Sequence, residues 1–415
     1  MKTPTRRSFL KRAGGLCGAA VGAPLVVPSR ALGLDGAVAP SERVVMGAIG
    51  LGGRNSYDMG AFMGEAEVRM VAVCDVQGGR REHARQAVNR RYGNNDCKAY
   101  IDLREMLARP DIDAVTIGTG ENWHALASIL AARAGKDVYC EKPGTHTIAE
   151  GRALADTVKR LGRIYQGGTQ RRSLSHFRFA LDLAREGKLG KLKKVWGEAH
   201  VAVPTTFDVP AQPQPPREVV DWDLFLGPAP WRPYNERWLG GWRGSYDFQG
   251  GGIKEWGSHT ACLCQLAADG DFTGPAEYEQ QGKDFVCRYA NGVEMIFTTG
   301  LGQVGVRFEG SEGSVHVNDD GVKGTEPASL MGERRFGKGY PVNDHLENFL
   351  HCIKTRQTPR SHAESIHRSM TVCHCADISL ILGRPLKWDP VKEEFVGDSE
   401  ANRWRSRAMR EPWRA

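Results

Sequence analysis

Val44-Val45-Met46-Gly47-Ala48-Ile49-Gly50-Leu51-Gly52-Gly53-Arg54-Asn55 is the stretch that decides the fold. Its first six residues, mostly apolar and β-branched, read as a buried strand. The glycines after them read as a tight turn into a helix. The run begins like a dinucleotide-binding fingerprint, but Asn55 stands where the third glycine is expected. The context strengthens the reading. Val68 to Asp75 forms a second strand ending in an acid, Asp102 to Ala108 a helix, Ala114 to Gly118 a strand, and Trp123 to Ala134 another helix. Asp137 to Cys140 is a further strand, running into Glu141-Lys142-Pro143. Strands and helices alternating at this spacing predict parallel βαβ units, a doubly wound α/β Rossmann domain over residues 44–168.

In that geometry Gly50 permits the turn. Gly52, flanked by Leu51, Gly53 and Arg54, lets backbone N–H groups approach a pyrophosphate at the helix N-terminus. Asp75 can accept hydrogen bonds from both adenosine ribose hydroxyls and would repel a 2′-phosphate, so NAD is favoured over NADP. Arg80 and Arg81 are the features that would suit NADP, and they read better as helix-surface charges.

Upstream, Thr5-Arg6-Arg7-Ser8-Phe9-Leu10-Lys11 opens a basic segment followed by the apolar stretch Ala13–Val27 and by Ser29-Arg30-Ala31. This is the pattern of a twin-arginine export signal over residues 1–31, with 32–43 as a linker. The apolar stretch is too short for a spanning helix, which needs about 20 residues, so no stable membrane anchor is expected. The twin-arginine route carries folded proteins. An export address on a nucleotide-binding domain therefore predicts a periplasmic or otherwise exported redox protein that leaves the cell with its nicotinamide nucleotide tightly bound.

The chain has 415 residues, 40% hydrophobic and 25% charged, with a formal net charge of +7. That describes an ordinary globular chain of two or three domains. No basic block is interleaved with aromatics, so no nucleic-acid partner is expected, and the arginine-rich end (Arg403, Arg405, Arg407, Arg410, Arg414) reads as a solvated face. Several of the ten cysteines sit in apolar periodic runs and read as core. Cys373-His374-Cys375, with His351 and Cys352 upstream, looks like a metal cluster only superficially. Cysteines at i and i+2 point to different helix faces, so no metal is expected.

Glu141-Lys142-Pro143, together with Gly250-Gly251-Gly252-Ile253-Lys254-Glu255-Trp256-Gly257-Ser258-His259, resembles the glucose-fructose oxidoreductase / inositol dehydrogenase (Gfo/Idh/MocA) family. The resemblance runs from Val44 to Pro390 and includes Gly168-Thr169-Gln170-Arg171, Leu226–Pro230 and Leu382–Pro390. It implies an α+β C-terminal domain over 169–390, with an open, mainly antiparallel sheet that carries substrate and oligomer contacts (a dimer or tetramer), and a tail over 391–415. Lys193–Val203, Glu277–Gln281, Phe285–Tyr289, Gly292–Thr299 and Val304–Glu309 read as strands of that sheet, and Pro204–Pro216 as an extended surface excursion.

The same resemblance puts Lys142 at a substrate carbinol and His259 across the cleft as acid/base. It places cofactor contacts at Thr119, Asn122, His124, Glu141, Lys142 and Gln170. Arg171 and Arg172 could line the nicotinamide or substrate side. The family often has Asp four residues before the histidine, where this chain has Glu255. The i, i+4 spacing keeps that carboxylate on the histidine's face, so Glu255 is a catalytic candidate. Trp231, Tyr234, Trp238, Trp242, Tyr246 and Trp256 suit either sugar stacking or packing.

Three functions are open at this point. The first is an NAD(P)-dependent oxidoreductase acting on CH–OH groups of a sugar, polyol or glycoside. The second is an NAD-dependent glycosidase working by transient oxidation, elimination, hydration and re-reduction. The third is a non-catalytic nucleotide or carbohydrate binder, against which the presence of Lys142 and His259 argues.

Overall fold

Strand β1 (Val44–Ile49) lies at the centre of the first sheet of the computed structural model, which describes residues 38–414 apart from positions 338 and 340. The twin-arginine segment and most of the linker lie outside the described residues. After β1 come α1 (Gly53–Gly64), β2 (Val68–Cys74), α2 (Gly78–Tyr92), β3 (Lys98–Tyr100), β4 (Ala114–Ile117), α3 (Glu121–Arg133), β5 (Asp137–Cys140), α4 (Ile148–Leu161) and β6 (Tyr165–Gly167). All six strands are parallel, in the order β3-β2-β1-β4-β5-β6. The order reverses between β1 and β4, and in such sheets the crevice at that point takes the ligand. β4 and β5 are buried at every residue, which is why they read as unbroken apolar runs rather than as alternation.

The chain continues through α5 (Ser175–Arg185), β7 (Leu192–Glu198), α6 (Gly252–Ala267), β8 (Glu277–Gln281), β9 (Asp284–Arg288), β10 (Glu294–Thr298), β11 (Val306–Gly310), β12 (Ser314–Asn318) and β13 (Gly321–Glu326). Then follow α7 (Asn343–Thr355), α8 (Ala363–Leu382), β14 (Leu386–Asp389) and β15 (Glu394–Phe395). The second sheet runs β13-β12-β11-β7-β10-β9-β8-β14-β15, antiparallel except where β10 pairs with β7. In β11, Val306 and Phe308 face the core while Arg307 and Glu309 are half exposed, the alternation of a sheet with one covered face.

Three differences from the sequence reading have physical causes. β7 ends at Glu198 rather than Val203, because the chain leaves the sheet to pass under the start of α6. There a Cβ on Gly252 would stand 2.1 Å from the His200 carbonyl oxygen. α7 completes the core of the first sheet, with Phe349 at 6.0 Å from Phe62 and 5.9 Å from Tyr139, ring centre to ring centre. Finally, the chain end is not a solvated face throughout. Arg407 pairs with buried Glu150 at 2.7 Å, Arg410 with Asp223 at 2.5 Å, and Trp413 packs edge-on against Trp123. Arg403 and Arg414 do remain exposed. The nine cysteines among the described residues are buried free thiols, Cys373 and Cys375 among them.

Candidate active site

The turn after β1 shows how the missing glycine is replaced. Gly50 has φ +75°, and a Cβ there would lie 2.6 Å from the Thr119 nitrogen, so the position demands glycine. Asn55 is fully buried. Its amide donates to the carbonyls of Ile49 and Gly50, both at 2.9 Å, and its oxygen accepts from Thr116 Oγ1 at 2.7 Å. The side chain thus ties the turn to β4, where a third glycine would only leave room. At the end of β2, Asp75 accepts from the N–H groups of Leu51 (2.6 Å) and Gln77 (2.7 Å). Burial raises the Asp75 carboxyl above its ordinary range, and these two donors oppose the rise.

These elements border a cleft of about 1050 Å³, lined on this side by Gly50, Gly52, Gly53, Arg54, Asp75, Thr119 and Asn122. α1 starts at Gly53 without a side-chain cap, leaving its first N–H groups for an anion. A Cβ on Gly53 would meet nothing within 4 Å, while Asp75 stands at the cleft wall. A glycine cradle, an uncapped helix start and an acid at the end of β2 are the donor and acceptor set that a dinucleotide needs.

The far wall comes from the second half of the chain: Leu224, Phe225, Leu239, Trp242, Arg243 and Phe248. They belong to a strap over residues 218–249 that is fastened to the loops of the first sheet. Gly78 N–H donates to Val219 O (2.9 Å), Asp221 N–H to Val76 O (3.0 Å), Trp123 Nε1 to Leu224 O (2.9 Å) and Asn122 N–H to Phe248 O (3.1 Å). Two glycines make the close approach possible. A Cβ on Gly78 would sit 2.5 Å from Glu218 O, and one on Gly227 would sit 2.2 Å from the Trp123 ring. Tyr234, Trp238 and Trp242 of the aromatic cluster help hold this strap together, whereas Trp231 is exposed and Tyr246 packs against Trp404. Phe207 stacks on buried Trp238 at 4.5 Å, and Trp222 packs on Phe225 and Tyr234. Trp256 differs, being 37% exposed with the Lys142 ammonium 5.4 Å from its ring centre.

Of the residues expected at the cofactor, Leu51, His124, Glu141, Lys142 and Gln170 do not line this cleft. The Leu51 N–H is taken by Asp75. His124 is buried, with Nδ1 at 2.6 Å from Pro143 O and Nε2 at 3.2 Å from Thr119 O, so it fastens two loops together. Glu141 accepts from Gln170 Nε2 (2.6 Å) and from Arg54 Nε (3.1 Å), and Arg54 also reaches Asp58 at 2.9 Å. Burial opposes the charge on Glu141, but Arg54 and Lys142 outweigh it and hold its carboxyl below the usual range. Buried Asp58 is pushed up to about 9 by desolvation and by the charge on Glu141. Asp58 had a signal in the sequence. Asn55, Asp58, Met59 and Phe62 fall at i, i+3, i+4 and i+7, so two polar residues occupy the buried stripe of α1.

Lys142, Glu255 and His259 come together between the two sheets. Lys142 Nζ donates to Glu255 O at 2.8 Å and lies 3.3 Å from Glu255 Oε1, while Gln249 Nε2 donates to the other carboxylate oxygen. His259, one helical turn further along α6, is buried, with Nε2 at 3.4 Å from Arg171 Nη1. Arg171 makes a two-bond pair with Asp319 at 3.0 and 2.6 Å. Desolvation first, then the charges of Arg171, Lys142 and Arg54, hold the His259 ring far below its ordinary value. Arg172 turns away to Cys262 and Asp271 and is structural. Glu121 opens α3, where burial and then the charge of Glu255 drive its carboxyl well upward. Nothing in the spacing of the sequence pointed to Glu121, Gln249 or Asp319.

Residues 44–169 match the family model described as "Oxidoreductase family, NAD-binding Rossmann fold", and residues 205–415 match "Oxidoreductase family, C-terminal alpha/beta domain", both of Gfo/Idh/MocA. The chain belongs to the Gfo/Idh/MocA oxidoreductase family. Its first domain is an NAD-binding domain, and NAD is its cofactor. Among curated relatives, an alpha-N-acetylgalactosaminidase from Shewanella oneidensis is 29% identical over 215 residues, 47% of this chain and 45% of that protein. The chain thus covers less than half the length of that relative. Among solved structures, the WlbA dehydrogenase from Bordetella pertussis, in complex with NADH and UDP-GlcNAcA, has TM-score 0.59 at 18% identity, covering 84% of this chain and 99% of that one. An NAD binding oxidoreductase from Klebsiella pneumoniae has TM-score 0.58 at 18% identity, covering 83% and 99%. At these identities the likeness is one of fold.

Proposed function

We propose that this protein is an exported oxidoreductase that moves hydride between a carbinol of a sugar, polyol or glycoside and a nicotinamide nucleotide that stays bound from one turnover to the next. The observation that carries this reading is the Lys142–Glu255 pair, with His259 one helical turn along the same helix, beside a dinucleotide cleft whose outer wall is a fastened strap. Bound NAD supplies the two-electron acceptor. Lys142 has three N–H donors, two of them directed to Glu255, and the third is available to orient a substrate oxygen. The Glu255 carboxylate takes the carbinol proton. It suits that task better than His259, whose cationic surroundings disfavour a proton. The strap shields the cleft from water, and the twin-arginine pattern at Arg6 and Arg7 supports release of the folded, loaded protein outside the inner membrane, where free NAD is scarce. Association through the second sheet into a dimer or tetramer belongs to the same reading.

A second reading is favoured by the glycosidase relatives: glycoside cleavage by transient oxidation, elimination, hydration and re-reduction, for which a retained NAD would supply the hydride acceptor and donor. Both readings are tested on protein purified without added cofactor. About one nucleotide per chain and repeated turnover are expected. Sugars or polyols that change NADH absorbance support net oxidation, whereas phenol release from aryl glycosides without lasting NADH supports glycoside cleavage. An empty cleft, with activity proportional to added NAD, would refute the retained nucleotide.

A further inference from the structure

His259 is 3% exposed, and among the described residues one of its two ring nitrogens, Nε2, has a partner. That partner decides the state of the ring. A guanidinium carries five N–H donors, no acceptor, and does not deprotonate in proteins. Arg171 Nη1, 3.4 Å from Nε2, can therefore only donate, and Nε2 must present its lone pair. The neutral ring then carries its proton on Nδ1, a buried donor that finds no acceptor among the described residues. Buried donors are paired in native proteins, and an exception inside a site calls for an acceptor, which a bound water or a ligand oxygen supplies.

Arg171 is held in place to do this. Asp319 grips it through two bonds at 3.0 and 2.6 Å, with both side chains at most 7% exposed. Asp319 lies in the turn between β12 and β13, where its own N–H donates to Gln303 O. The charges facing the ring from the packed elements are Arg171 after β6, Lys142 after β5 and Arg54 on α1, with neutral His345 on α7. The carboxylates of the site are committed elsewhere: Asp319 to Arg171, Glu255 to Lys142 and Gln249, and Glu141 to Arg54 and Gln170.

We propose that Arg171, clamped by Asp319, is a positioning residue that locks His259 as a neutral Nδ1–H donor, so that His259 gives a hydrogen bond to a substrate oxygen instead of taking its proton. The proposal rests on the oxidoreductase reading for the identity of the acceptor, and it requires a substrate bearing an oxygen lone pair at this point, whether hydroxyl, carbonyl or ring oxygen.

The test is ¹⁵N NMR of the full-length, nucleotide-loaded protein labelled at histidine, with the His259 signals assigned by their loss in His259→Gln. The expected pattern is a neutral ring protonated on Nδ1 that does not change between about pH 5.5 and pH 8, the range in which an ordinary histidine titrates. Arg171→Met should release it, giving a mixed tautomer pattern and a new ionisation on the acid limb of the kcat/KM profile. Arg171→Lys, which keeps a donor, should restore the wild-type pattern. If Arg171→Met does not fold, Asp319→Asn loosens the same clamp and is read in the same way. A wild-type ring protonated on Nε2, a titration near the ordinary value, or a tautomer unmoved by both variants overturns the proposal. The spectrum needs no turnover. Absence of any carbinol oxidation would sink the functional reading and leave the tautomer result standing.

Discussion

Replacing Asn55 with glycine restores the third glycine of the dinucleotide fingerprint and should nevertheless damage the protein. The side chain makes three hydrogen bonds in a fully buried place: two to the Ile49 and Gly50 carbonyls and one from Thr116. The Ile49 carbonyl keeps a second donor in Gly118 N–H, so its loss is mild. Buried Thr116, by contrast, is left with an unmade hydroxyl, a penalty of about 1–3 kcal/mol, and the other bonds contribute about 1 kcal/mol between them. Glycine in place of asparagine in the first turn of α1 adds only about 0.3 kcal/mol. The sum is about 3 kcal/mol. Urea unfolding of the nucleotide-free protein should show that loss, and NAD titration should show weaker binding, because Asn55 holds Gly50 in its left-handed conformation. A variant within about 0.5 kcal/mol of wild type that binds NAD equally well would refute this account and make Asn55 a passive filler.

Asp75→Ser removes both the expected ribose acceptor and the partner of the Leu51 and Gln77 N–H groups. NAD affinity should fall about 10- to 100-fold, the worth of one charge-assisted hydrogen bond, with a relative gain for NADP. An unchanged NAD-to-NADP ratio in binding titrations would take Asp75 away from the ribose. Asp377 is pushed up to about 7 by burial, with Lys254 3.4 Å away offsetting only part of the rise. Its folded value lies above the unfolded 3.8, so its contribution is complete below about pH 4 and is lost as pH climbs through 7, about 4 kcal/mol in all. Lys254→Met/Asp377→Leu should flatten the pH dependence of the urea midpoint over that window, and equal slopes would show that Asp377 ionises freely. Arg6→Lys/Arg7→Lys should keep the protein in the cytosol at normal abundance, whereas its appearance outside the inner membrane would remove the export assignment.

Family resemblance located the segments that carry Lys142 and His259, whereas the first sheet, the glycine turn and the spacing of Glu255 and His259 are legible residue by residue. Those features are local. A parallel strand buried on both faces is apolar throughout, a left-handed turn needs Gly50, and Glu255 and His259 share a helix face through four-residue spacing. Their surroundings, by contrast, come from segments far away in the chain. Arg171 reaches His259 across 88 positions and Asp319 across 148, and their meeting depends on β12 and β13 lying at one edge of a sheet whose order no local period encodes. In the sequence the strap over residues 218–249 shows aromatics that suit either stacking or packing, yet its backbone bonds to Val76, Gly78 and Asn122 make it the wall of the NAD cleft. Asn55 joins the two levels. Its place in the fingerprint is visible in the sequence, but its fitness there is not, because its three hydrogen-bond partners come from two different strands and the turn between β1 and α1. Backbone periodicity is written within a few residues, whereas the pairing of buried polar groups is settled by which distant segments the packed core brings within about 3 Å of each other.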